Sequence, residues 1–172
     1  ATAAVGTYHP TGKDPCNCID ELSILAHSGS PGVVRIGSAN ENVVNGDFSD
    51  GKLARGKNGR WLRDPKTNKL LQVSAAKKSL AALGKLFCTG AKGLVIKQCQ
   101  AGRCQAGARS LHALAKATGV TVGGYSYDVD AGSNAAPDVK VSGNTHTGPK
   151  GKSTNISGGV SGIPKAPPLK SG

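Results

Sequence analysis

The stretch Leu94-Val95-Ile96-Lys97-Gln98-Cys99-Gln100-Ala101-Gly102 decides how this chain folds. Its first part is a short apolar run of strand length, which reads as a buried parallel strand. It ends abruptly in a thiol followed by small residues, which read as a turn at the carboxyl end of the strand. A second stretch has the same form: Ile24-Leu25-Ala26-His27-Ser28-Gly29-Ser30-Pro31-Gly32. Open α/β sheets place their ligand sites at the carboxyl ends of strands. One strand delivers an imidazole there and the other a thiol, the minimum set for cysteine nucleophilic catalysis.

Working outward, Ile19 to Ala26 is the first strand, and Val33-Val34-Arg35-Ile36 is expected as a short hairpin strand after the His27 turn. Residues 38–60 are rich in Asn, Gly, Asp and Lys and read as a long exposed loop. Val73 to Phe87 reads as a helix with Ser74 as N-cap and Ala76, Leu80, Leu83 and Phe87 on one apolar face. Gly90 and Gly93 close the connection into the strand at 93–98. Ala106 to Thr118 reads as a second helix, burying Ala108, Leu111, Leu114 and Ala115, with Gly119 as its C-cap. Val120 to Tyr125 is a third strand. Strand and helix alternating in this way is the pattern of an α/β domain. The expected organisation is an irregular lead-in over 1–18, an α/β domain over 19–130, and a Gly/Ser/Pro/Lys-rich, largely extended or disordered tail over 131–172. An ordered arm draped on the domain is the alternative for the tail.

The chain has 172 residues, enough for one domain with a core of its own. There is no run of about 20 apolar residues to cross a membrane. No signal peptide is read at the N-terminus, and the absence of Met suggests a piece of a longer protein. The net charge of +12 favours anionic partners in general. The lysines are scattered and no aromatic residues interleave with them, so nucleic acid is not the expected partner.

The five cysteines, Cys16, Cys18, Cys88, Cys99 and Cys104, are odd in number, so at least one thiol is free or pairs between chains. Cys16 and Cys18 stand too close for an easy mutual disulfide. Cys99 and Cys104 with His112 match zinc-ligand spacing poorly, so neither a metal nor another cofactor is expected. A catalytic thiol fits a reducing compartment.

The pattern apolar-apolar-x-His-x-Gly ending one strand, and apolar-x-x-Cys-x-x-Gly ending the next, resembles the caspase-like (clan CD) cysteine peptidases. The likeness is closest to the domains found in bacterial secreted and toxin-type proteins. There a helix of the form small-x-x-Leu-Ala-x-x-Thr-Gly and a strand follow the Cys turn; here Leu111 to Gly119 and Val120-Thr121-Val122 stand in those places. The resemblance covers roughly residues 19–130. It implies a caspase-like α/β fold with a mostly parallel sheet flanked by helices on both faces. It implies His27 and Cys99 as the catalytic pair, with oxyanion donors at the backbone of Gly29 and Cys99. It implies cleavage of peptide bonds through a thioester acyl-enzyme, in a bacterial effector or self-processing module that is secreted or delivered into a reducing intracellular compartment. The partners would be a protein or peptide substrate and an inhibitory immunity protein.

One residue departs from the family pattern. Ser28 separates His27 from Gly29, where the family has Gly directly after His. Cys104, in a second Cys-Gln-Ala-Gly run at the start of a helix, is the rival nucleophile, because the helix dipole lowers a thiol's pKa there. The plain structural alternative makes His27 a satisfied strand-end histidine and Cys99 a small buried hydrophobe. Asp128 and Asp130, after the third strand, are expected to line a pocket for a Lys or Arg side chain; their alternative is solvated turn carboxylates. Lys52 to Lys57 would then be a self-cleavage site between the two catalytic strands. A basic nuclease-type toxin domain and a non-catalytic caspase-like binding module are the other two functional classes.

Overall fold

The computed structural model describes residues 17–25, 34–35, 43–44, 80–130 and 132–165. Its main feature is a six-stranded sheet in the order β1-β4-β5-β6-β7-β8. The strands are β1 (Glu21–Leu25), β4 (Gly93–Lys97), β5 (Val122–Gly124), β6 (Val139–Ser142), β7 (Thr145–Thr147) and β8 (Ser153–Asn155). A separate antiparallel pair joins β2 (Val34–Arg35) to β3 (Val43–Val44). The helices are α1, described over 80–84, and α2 (Cys104–Thr118).

β4 is the central parallel strand. It pairs in parallel with β1 through Leu22↔Leu94 and Leu25↔Lys97, and with β5 through Leu94↔Val122. Leu94 and Ile96 are fully buried and Val95 nearly so. A strand covered on both faces reads as a continuous apolar run, and that is why this one stood out. β1 lies at the edge of the described sheet and alternates: Leu22 and Ile24 pack on the core, while Glu21, Ser23 and Leu25 face outward.

α2 forms the crossover from β4 to β5 and packs on β5 and β6. It starts at Cys104, two residues before the expected Ala106, and ends at Gly119, whose left-handed backbone (φ 75°) donates its N–H to the Ala115 carbonyl at 2.8 Å. Leu111 and Leu114 on its buried face are completely covered. The close approach of Leu111 to the sheet depends on Gly124. A Cβ at Gly124 would stand 3.1 Å from a Leu111 methyl.

Two expectations about α1 are corrected. The helix stops at residue 84, and Phe87 forms a parallel bridge with Ile19 instead of a helical turn. Gly84 passes so near α2 that a Cβ on it would overlap the Thr118 carbonyl oxygen. Leu80 and Phe87 are still buried, as expected for the apolar face. Ser74 and Ala76 lie outside the described residues.

The fold is α/β, but the sheet is mixed instead of mostly parallel. β5-β6, β6-β7 and β7-β8 are all antiparallel. Expected helices on both faces are likewise not what the described residues show. α1 and α2 share one core cluster with Leu94 and Ile96, and no described helix covers the opposite face. The order β1-β4-β5 advances in one direction across the sheet, and α2, the described crossover, lies on the face with Leu94 and Ile96.

The largest departure lies after residue 130, where the expected tail supplies half the strands of the sheet. β6 places Val139 and Val141 in the core and Lys140 and Ser142 outside. Ile156, Val160 and Ile163 return beneath α2 as buried anchors. Each of these strands alternates only one or two apolar residues with polar ones, so its composition is that of a polar loop and its periodicity is weak. Residues 166–172 lie outside the description.

His146 on β7 is buried with Val141 as its cross-strand neighbour, and its Nε2 has no hydrogen-bond partner. Burial pushes its pKa below the ordinary histidine value. The neutral ring is therefore the folded form. Stability from this site is fully present above the unfolded pKa of about 6.5, and is lost as pH falls below it, because only the unfolded chain takes up the proton. The urea midpoint should fall between pH 7 and pH 5, by up to about 1.4 kcal/mol of stability per pH unit. His146→Phe should flatten that slope; an unchanged slope in the variant would show that His146 does not carry it. A chain ended after Asp130 should lose cooperative unfolding altogether, read by circular dichroism during a urea titration.

Candidate active site

Cys99 stands two residues beyond Lys97, in the turn that leaves the central strand. That turn is held from three directions. Gln100 N–H donates to the Tyr127 carbonyl and Gly102 N–H to the Tyr125 carbonyl, both at 2.9 Å, so the segment after β5 runs beside it. Within the turn, Arg103 N–H donates to the Gln100 carbonyl at 3.0 Å. Next along the chain, α2 stacks directly on the turn: a Cβ at Gly107 would fall 2.3 Å from the Gly102 carbonyl carbon.

Gly102 itself is required by packing. A Cβ there would meet the Val139 Cβ at 2.9 Å. The glycine of the Cys-x-x-Gly motif thus lets β6 lie against the turn. Gln100 takes a left-handed conformation (φ 57°), as does Cys104 (φ 55°). Each costs about 1–2 kcal/mol for a non-glycine residue, so the surrounding hydrogen bonds and packing must offset it.

The Cys99 side chain is half-buried, and its thiol donates to the Val129 carbonyl at 3.6 Å. Asp128 and Asp130 are the chain neighbours of Val129, and the Asp128 carboxylate reaches Gln100, the residue after Cys99. Both are exposed. Asp128 accepts a hydrogen bond from Gln100 Nε2 at 2.9 Å, and the Asp130 carbonyl accepts Ser133 N–H at 2.9 Å.

His27, Ser28 and Gly29 lie outside the described residues, as does the Lys52–Lys57 segment. What the structure does describe is the strand that leads to His27. Leu25 is the last residue of β1 and pairs with Lys97, the last residue of β4. His27 follows Leu25 by two positions, as Cys99 follows Lys97.

Cys104 opens α2 and is also half-buried. The adjoining Gln105 is tied down twice: its N–H donates to the Pro164 carbonyl at 3.1 Å, and its Nε2 to the Ile163 carbonyl at 2.8 Å. Of the other histidines, His112 is half-buried on α2 and within 3.1 Å of Asn144 Oδ1. His146 belongs to the core. Among the described residues, no cluster of three or more His, Cys, Asp or Glu is arranged to hold a metal. No described helix is long and apolar enough to cross a membrane.

The opposite end of the parallel sheet carries a feature that the sequence did not signal. Cys18 and Cys88 form a disulfide across 70 residues. Ile19 N–H donates to the Leu86 carbonyl and Cys88 N–H to the Ile19 carbonyl, each at 2.9 Å, so the two chains are already paired where the cysteines meet. One step on, Lys92 Nζ lies 2.8 Å from an Asp20 carboxylate oxygen. The hydrogen bond from Lys92 holds the Asp20 carboxyl below its usual range. Neither the spacing nor the motif content of a sequence distinguishes this pairing from several others.

A groove of about 410 Å³ opens on the face away from α2, over Val95 and Gly123, with Lys97 and Lys140 at its sides. Pro137 sits on Gly123, where a Cβ would approach it to 2.7 Å.

A scan against protein-family models found no match to the chain. Searches of curated proteins and of solved structures found no match either.

The disulfide closes a long loop, which in the chain-entropy account is worth about 4 kcal/mol. Dithiothreitol should lower the urea midpoint of the native chain markedly. Cys18→Ala/Cys88→Ala should start from the lowered midpoint and show no further response. An equal response in that variant would assign the effect to other thiols.

Proposed function

We propose that this chain is a caspase-like cysteine peptidase, the processing or toxic module of a bacterial effector, with Cys99 as nucleophile and His27 as its base. The observation that carries the reading is the parallel, in-register pairing of β1 with β4. It ends at Leu25↔Lys97, and the imidazole and the thiol follow at the same offset along their two chains. The strand order adds support, since Cys99 leaves the central strand of the parallel set, at the sheet end where α/β proteins hold ligands.

In the first half-reaction the Cys99 thiol gives its proton to the His27 imidazole, and the thiolate sulfur attacks the scissile carbonyl carbon. The oxyanion is stabilised by backbone N–H groups at Gly29 and Cys99, a contribution of about 3 kcal/mol for a donor of this type. The C–N bond breaks as the leaving amine takes the proton from His27, and a thioester remains on Cys99. In the second half, His27 takes a proton from water, the hydroxide attacks the thioester, and the thiol is restored with release of the acid. Val129 accepts the resting thiol proton, so substrate binding has to exchange that partner for His27. Asp128 and Asp130, on either side of Val129, are the proposed recognition groups for a Lys or Arg before the cut.

A disulfide forms in an oxidising environment. The Cys18–Cys88 pair thus fits a chain that is exported before it acts, with the nucleophile at the other end of the sheet.

Brief iodoacetamide treatment followed by peptide mapping tests this reading. Cys99 should be alkylated faster than Cys104, and His27→Ala should slow Cys99 by on the order of tenfold. Cys99→Ala should abolish cleavage of peptides with Lys or Arg before the cut, and should stop any fragmentation of the chain at Lys52–Lys57 seen by intact mass. Cleavage that survives in Cys99→Ala, or metal-dependent plasmid nicking without peptide cleavage, would overturn it.

A further inference from the structure

We infer that Gln100 and Arg103 form a clamp that positions Asp128 for a cationic substrate side chain, which makes Gln100 a specificity-determining residue. The inference rests on the peptidase reading for its setting, but its geometry stands independently. Arg103 Nη1 donates to Gln100 Oε1 at 2.8 Å, and Gln100 Nε2 donates to Asp128 Oδ1 at 2.9 Å. A primary amide has one acceptor end and one donor end, and here both are used. The guanidinium offers only donors, so it must face the amide oxygen. The amide nitrogen is then turned toward the carboxylate. Arg103 thereby decides which way Gln100 points, and Gln100 decides where Asp128 is held.

The backbone reinforces the arrangement. Gln100 is in the left-handed region, its N–H is bound to the Tyr127 carbonyl and its carbonyl receives Arg103 N–H. The side chain is therefore launched from a fixed point, one residue past the nucleophile. Tyr127, in turn, is the chain neighbour of Asp128, and its ring packs edge-on against Tyr125 with centroids 5.6 Å apart. Both ends of the Gln100–Asp128 bond are thus anchored to the same pair of chain segments.

The clamp occupies one oxygen of Asp128 and leaves the other free in an exposed position. An otherwise mobile surface carboxylate gains little from a single cation, because ordering two side chains offsets the attraction. A carboxylate already ordered by a hydrogen bond has less freedom to lose on binding. Arg103 does not compete with the incoming cation, since its Nη1 bond goes to the far side of the amide. The chemical class this selects is an ammonium or guanidinium on a side chain next to the scissile bond.

Binding to the inactive Cys99→Ala protein separates this inference from the peptidase reading. The probe is acetyl-Gly-Gly-Arg-amide, with acetyl-Gly-Gly-norleucine-amide as its neutral counterpart, titrated by NMR. Gln100→Ala should weaken the arginine peptide by on the order of tenfold and leave the norleucine peptide unchanged. Arg103→Ala should act in the same direction. In an Asp128→Asn background, Gln100→Ala should add nothing, because the pair acts as a unit. Thermal midpoints report whether each variant keeps its fold, and Gln100→Asn, too short to span the gap, provides a second folded variant with the same expected loss. Arginine binding that is absent in Cys99→Ala, or equal with and without Gln100, overturns the clamp. Arginine-selective binding with no cleavage by the unmodified chain supports the clamp while removing the peptidase reading.

Discussion

The burial of β4 between two parallel neighbours is the constraint on which the rest of the structure depends. A strand with both faces covered cannot leave backbone groups unpaired, so β1 and β5 must take up its hydrogen bonds on either side. Parallel pairing then demands long crossovers, one supplied by α2 and the other by the chain between β1 and β4. The second crossover is long and is closed at its base by Cys18–Cys88 and the Ile19–Phe87 bridge. Covalent closure lies at one end of the sheet, and the turn that holds Cys99 lies at the other.

At that other end the turn after β4 is unusually determined. Two non-glycine residues in left-handed conformations stand within six positions, and a glycine at 102 admits β6 where any side chain would collide. Backbone strain of this kind persists only where the surroundings hold it in place, and it concentrates at functional sites. The segment after β5 supplies the holding contacts through Tyr125 and Tyr127, and the same segment carries the Val129 carbonyl that meets the thiol and the Asp128 carboxylate that meets Gln100. Fold stability and site geometry therefore share one set of hydrogen bonds, which couples damage to either.

Much of the parallel core was legible from local pattern. The continuous apolar run at 93–97, the alternating strand at 21–25, the amphipathic helix ending at Gly119 and the short strand at 122–124 all carry local signals, and they are where the structure has them. The strands after residue 138 carry weak ones. Val139, Val141 and His146 alternate with Lys, Ser and Thr in segments of three or four residues, and such short alternations disappear inside a Gly- and Ser-rich composition. Their order comes from pairing: β6 on β5, β7 on β6 and β8 on β7, each strand templated by the one before it. The end of α1 at residue 84 also depends on distant residues: Phe87 leaves the helical path to bridge Ile19, and Gly84 lies against the Thr118 carbonyl with no room for a Cβ.

By itself the sequence determined the α/β class, the central strand, and the place of a thiol just beyond that strand's end. These depend on hydrophobic periodicity and on turn residues, which act over a few positions. Only the tertiary structure decided that the sheet is mixed, that Cys18 joins Cys88, that the Val129 carbonyl meets the Cys99 thiol, and that Gln100 links Arg103 to Asp128. Each of these joins segments that are separated in the chain, or fixes the direction of a side chain. The free energy that selects them comes from packing and hydrogen bonds between distant residues, and no local pattern of residues encodes it.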